Sequence, residues 1–132
     1  MTDTISLDHN WTCQYFEMGA GLRQATDDES VPSLAEWVFD KQRGENWAAW
    51  LKCGFDLEPT DECVNYTLRI ESAPEETQLF VNGEKLGVIS ETPFSIDVTN
   101  YVALEYNEIA LRVEWNAAGR FEGIALQPVP CQ

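Results

Sequence analysis

Nucleophilic catalysis needs a base beside a nucleophile, and the single histidine of this chain, His9, lies in His9-Asn10-Trp11 with no Gly-x-Ser-x-Gly elbow to serve. The four cysteines, Cys13, Cys53, Cys63 and Cys131, form no Cys-x-x-Cys pair, and only His9 could add an imidazole, so a structural zinc site is not expected. In a reducing cytosol these cysteines would be thiols packed as small hydrophobes; in a secreted protein one or two disulfides would form. A phosphate-cradling P-loop, a Gly-x-Gly-x-x-Gly turn and a His-Glu-x-x-His helix are absent. The 23 acidic residues allow many carboxylate pairings, none singled out as the acid and base that glycoside hydrolysis requires. Asp27-Asp28-Glu29 lacks the alternating oxygen ligands of a calcium loop and reads as a solvated segment. The expectation is a non-catalytic chain without a cofactor.

Binding is the better-supported chemistry. Five tryptophans are more than a core of this size strictly requires, and aromatic faces are what sugar rings stack upon. Trp47 and Trp50 lie three apart, which in an extended segment sends one to each side, one into the core and the other outward or under a loop. The segment Asn116-Ala117-Ala118-Gly119-Arg120-Phe121-Glu122-Gly123 reads as a loop, so Arg120, Phe121 and Glu122 are candidate contacts at its end of the molecule. Trp47, Trp50, Arg120, Phe121 and Glu122 therefore form the candidate ligand-binding set. Trp115 continues an apolar phase and is expected in the core, while Trp11 and Trp37 are expected to pack at strand ends.

Strict alternation supplies the elements that would carry these residues. Val64, Tyr66, Leu68 and Ile70 alternate with polar neighbours, as do Phe94, Ile96 and Val98, and then Ile109, Leu111, Val113 and Trp115. Asn82-Gly83 between Leu79-Phe80-Val81 and Lys85 to Ile89 is the residue choice of a tight hairpin with positive φ. Further strands are expected within Ile5 to Phe16, around Trp37 to Phe39, from Trp47 to Leu57 and from Ile124 to Val129. Residues 19–35 read as a long polar surface connection with one helical turn, and Thr99 or Asn100 as the cap of a brief helix through Leu104. About eight short strands with frequent turns point to one β-sandwich or barrel domain over 1–132.

Composition narrows the partners. Eight Lys and Arg against 23 Asp and Glu give a formal charge of −15, a field that repels nucleic acid and anionic membrane surfaces. Hydrophobic residues make up 44% of the chain, enough for a packed core, yet no apolar run is long enough to span a bilayer, so membrane insertion is not expected. Met1 to Leu7 carries Asp3 and no basic stretch before an apolar segment, which makes the cytoplasm the expected compartment unless a leader has been removed.

Several stretches in order resemble the N-terminal sugar-binding domain of glycoside hydrolase family 2 enzymes, the β-galactosidase and β-glucuronidase group. Trp50-Leu51-Lys52-Cys53-Gly54-Phe55-Asp56-Leu57 is similar to that family's aromatic-basic-basic strand ending in Phe-x-Leu, with Leu51 and Cys53 departing from it. Leu68-Arg69-Ile70, the Val81-Asn82-Gly83 hairpin running to Gly87, Pro93-Phe94 with Asp97-Val98-Thr99, and Asn107 to Val113 follow the family's succession. Gly123 to Leu126 resembles its closing strand, and Leu7 to Trp11 its opening one. The resemblance implies a galactose-binding-like jelly roll. In those enzymes hydrolysis belongs to a separate barrel, for which 132 residues leave no room, so the implied role is non-catalytic. Two functions follow as expectations: a structural or protein-interaction subunit of a larger assembly, or a carbohydrate-binding module using exposed aromatics. The partner is accordingly a protein or a saccharide.

Overall fold

The computed structural model describes residues 4–18, 24–58 and 62–131. Ten strands run through them: β1 (Ile5–Ser6), β2 (His9–Glu17), β3 (Glu29–Ser33), β4 (Trp47–Leu57), β5 (Val64–Ser72), β6 (Thr77–Val81), β7 (Glu84–Ile89), β8 (Phe94–Asp97), β9 (Glu105–Glu114) and β10 (Glu122–Pro130). They form two antiparallel sheets, one of four strands in the order β1-β10-β5-β8 and one of six in the order β3-β2-β4-β9-β6-β7. This is the all-β jelly-roll sandwich that the alternation and the resemblance led one to expect.

The alternating residues do what their spacing implies. Leu68 and Ile70 of β5, Ile124 and Leu126 of β10, Leu51 of β4 and Ile109, Leu111 and Val113 of β9 turn inward and are essentially inaccessible. Each such side chain contributes roughly 1.5–3 kcal/mol by leaving water. Register fixes which residues share a face: Trp50 lies opposite Arg112, Lys52 opposite Ala110, and Phe80 opposite Ala110 from the other side.

At the β6–β7 hairpin Asn82 and Gly83 have φ of 49° and 84°, the two positive values of a type I′ turn. Asn82 does more than turn. Its side-chain amide donates to the Tyr101 carbonyl (2.8 Å) and to Asn107 Oδ1 (2.9 Å), and its Oδ1 accepts from Glu108 N (2.9 Å). Asn107, fully buried, also accepts from Ala103 N and donates to Ala103 O. A polar side chain survives there because every polar atom it carries is paired. Asp97 Oδ1 accepts from Thr99 N (2.8 Å), and Thr99 Oγ accepts from Tyr66 N (2.9 Å), tying the corner after β8 to β5.

Several expectations need correction. Residues 19–23 of the proposed connection lie outside the described residues; the rest contains β3, paired with β2, and a 3₁₀ turn over Leu34–Glu36, with Val31 and Leu34 buried. Trp37 to Phe39 is not a strand, because the chain leaves that turn and crosses the sandwich end, where Trp37 and Phe39 pack on each other. After Asp97 the chain makes a hydrogen-bonded turn rather than a helix, since Thr99 spends its hydroxyl on β5 instead of capping. Trp11 is 1% exposed within β2, a core residue rather than a strand-end one, its indole N–H donating to the Leu7 carbonyl. Trp115 falls just beyond β9, half-buried, with its N–H on the Lys41 carbonyl.

Candidate functional site

Trp47 and Trp50 do face opposite sides of β4. Trp47 opens the inward row and packs against the core at the sandwich end, with the Arg43 guanidinium 5.6 Å from its ring centre. Arg43 also lies 4.6 Å from the Tyr15 ring and 3.8 Å from Asp40, an ion-pair distance too long for a hydrogen bond. Lys41, from the same 3₁₀ turn (Lys41–Arg43), sits over Phe39 and Trp115 and donates to the Trp115 carbonyl. These cations lie on aromatic faces and close the end of the core, an arrangement worth about a kcal/mol each.

Phe121 is 1% exposed and lies 6.1 Å from the Trp37 ring, so it is a core residue and not a loop-borne contact. The loop before it turns inward at this residue because the core end needs a large apolar plug. Arg120 and Glu122 are exposed on either side of it, Glu122 beginning β10 opposite Ser72. The five candidates are therefore not one site: Phe121 is interior, Trp47 caps the core end, and Trp50 stands on a different surface. The sandwich end does hold an open hollow lined by Met18, Glu45, Asn46, Glu114, Trp115 and Asn116.

Trp50 belongs to the outer face of the six-stranded sheet. Its ring stacks on Phe16 from β2 (centroids 6.1 Å apart, 26° between planes) and meets Phe80 from β6 edge-on (5.0 Å, 64°). Arg112 lies over Phe16 at 5.4 Å and reaches Met18 Sδ and Glu114. Lys52 and Lys85 stand on the same face, Lys85 opposite Phe80. Of the eight Lys and Arg, Arg23 lies outside the described residues, and three of the other seven are here, with Asp56 and Glu108 towards one end and Glu114 at the other. The outer face of the four-stranded sheet differs in kind: Thr67, Arg69, Glu71, Ser95, Asp97 and Gln127 stand on it beside the smaller apolar Ala125 and Val129, Arg69 pairs with Glu71 at 2.6 Å, and no aromatic ring stands among them. An aromatic residue in the polar phase of an alternating strand is the signal that the sequence carries for Phe16 and Phe80.

Burial pushes the Cys13 thiol up to about 11 and the Tyr15 hydroxyl up to about 12, and it raises Cys53, so the two buried thiols are protonated at neutral pH. Cys63 and Cys131 form a disulfide.

No family model and no curated protein matches the sequence. Among solved structures the chain is similar to the FMN-binding β-glucuronidase of Faecalibacterium prausnitzii L2-6, at TM-score 0.69 and 17% identity, over 97% of this chain and 22% of that one. It is similar to a glycosyl hydrolase family 2 member of Bacteroides cellulosilyticus DSM 14838, at 0.65 and 17%, over 98% and 21%. It is also similar to a rhamnosidase of Novosphingobium sp. PP1Y, at 0.63 and 13%, over 98% and 16%. Identities this low establish the fold, a β-sandwich shared with portions of family 2 glycosidases. The chain spans about a fifth of the length of these enzymes.

Proposed function

We propose that this chain is a non-catalytic β-sandwich module that serves as a subunit of a larger assembly and docks a partner protein through the outer face of its six-stranded sheet. The observation that carries the reading is the difference between the two solvent-facing sheets. One carries mostly polar side chains with only the small apolar Ala125 and Val129; the other presents Trp50 between Phe16 and Phe80, fringed by Lys52, Lys85 and Arg112. Aromatic rings with charged groups of both signs at their margin are the composition of a protein interface, an apolar centre with a polar rim.

The experiment is native mass analysis and affinity purification of the tagged protein from its own cells, beside variants Trp50→Ala, Phe80→Ala and Gln127→Ala. The expected result is stoichiometric recovery of one protein with wild type and with Gln127→Ala. Trp50→Ala with Phe80→Ala should lose it while shifting the melting midpoint by only a few degrees. Retention through the paired aromatic change and loss through Gln127→Ala would overturn the assignment of the face.

A second reading, saccharide binding, is favoured by the hollow at the sandwich end, where the Trp115 ring is joined by Glu45, Asn46 and Asn116. It predicts a glycan-array signal that Trp115→Ala abolishes, with no protein partner recovered.

A further inference from the structure

The Cys63–Cys131 bridge closes one end of the ladder between β5 and β10. Cys63 immediately precedes β5 and Cys131 immediately follows β10, their flanking residues Val64 and Pro130 are opposite each other, and Cys131 N donates to the Cys63 carbonyl at 3.0 Å. The Cα atoms lie 5.3 Å apart, within the ordinary span of a bridge.

Apart from its ladder bonds to β5, little else fastens this end of β10. Leu126 is the last buried residue of the strand; Gln127 and Pro128 are half-buried, and Val129 and Pro130 are exposed. Pro128 and Pro130, opposite Tyr66 and Val64, fall at the non-hydrogen-bonded positions of this pairing, their nitrogens turned away from β5 to the side where β1 has already ended opposite Leu126. A strand end paired on one side alone, with no fully buried side chain beyond Leu126, is drawn from the low-stability part of a fold. Cys63 is an exposed residue, open to a reductant, while Cys13 and Cys53 are buried.

We propose that the Cys63–Cys131 disulfide is a redox-operated clasp: oxidised, it holds residues 127–131 on β5; reduced by a dithiol, it releases them while the sandwich stays folded. A thiolate of the dithiol attacks Cys63 Sγ, the bond between the two sulfurs breaks, and its electron pair leaves on Cys131 Sγ, which takes up a proton. The second thiol of the dithiol then displaces Cys63 from the mixed disulfide. Two cysteine thiols and one oxidised dithiol result, with two electrons transferred. Release uncovers the backbone edge of β5 from Val64 to Thr67, which β10 occupies in the oxidised form. Cys13 and Cys53 take no part, since their buried, protonated thiols are poor nucleophiles.

The test combines alkylation of the folded chain, read by intact-mass and peptide analysis, with backbone hydrogen exchange, both across graded dithiothreitol. Without reductant no alkylation of Cys63 or Cys131 is expected. With it, those two should be modified and Cys13 and Cys53 spared. Exchange at Gln127, Val129 and Cys131 should quicken about tenfold or more while Leu68, Ile70, Ile124 and Leu126 keep their protection. The paired variant Cys63→Ser with Cys131→Ser should show the fast exchange at Gln127 and Val129 at every dithiothreitol concentration. Four free thiols before reduction, simultaneous loss of protection throughout the core, or unchanged exchange at 127–131 would each overturn the proposal.

Discussion

Asn107 is the residue whose change should be felt most. Asn107→Ala leaves Ala103 N and O without partners inside the molecule and removes one of the two acceptors of the Asn82 amide. Losing these partly buried hydrogen bonds costs about 2 kcal/mol together, and a urea titration should show that loss with an unchanged slope. Three buried acids, Cys13, Tyr15 and Cys53, set the alkaline limit. Cys13, pushed from 9.0 to about 11, and Tyr15, from 10.0 to about 12, stay neutral in the fold at pH values where the unfolded chain has begun to ionise. The unfolded state then binds fewer protons, so stability must fall as pH rises from about 9 to about 12, and Cys13→Ala should remove the first part of that fall. Thermal melts across that range check both. Burial of the thiol follows from cysteine's behaviour as a small hydrophobe, but its closeness to Tyr15 and Trp37 depends on the fold. Phe121 shows the same gap: a Gly-Arg-Phe-Glu string reads as a loop tip, and only the shape of the core end turns its ring inward.

Among the elements, the hairpin was the most legible, because Asn82-Gly83 meets a backbone demand that few other pairs satisfy. Gly83→Ala puts a Cβ at φ 84° and should cost about 1 kcal/mol, measurable as a small drop in melting midpoint with the hairpin intact. The long strands were legible for a related reason: a period of two survives in β4, β5 and β9, where one phase is buried almost without interruption. β3 was not, since Glu29-Ser30-Val31-Pro32-Ser33 has one inward apolar residue and is a strand only because β2 offers it an edge. The aromatic face was half legible. Trp50 drew notice, but its company on the sheet depends on which strands lie side by side, and the order β2-β4-β9-β6 brings together residues 16, 50, 112 and 80 from distant parts of the chain.

For the molecule as a whole, the disulfide closes a loop of 68 residues, and opening it in the unfolded chain is worth about 4 kcal/mol on the chain-entropy view. Calorimetry with and without dithiothreitol should therefore show a midpoint lower by about 15 °C in the reduced protein. The sandwich as an architecture was readable from strand number and turn frequency; which cysteines meet was not, because that is a property of strand order. That order also imposes a timetable. β10, the last strand described, sits between β1 and β5 rather than at a margin, so the first strand has no neighbour until the last is made. A growing chain could pair β2 with β4 early, yet its smaller sheet must wait, with β5 open along one side, until residues past 122 have been synthesised.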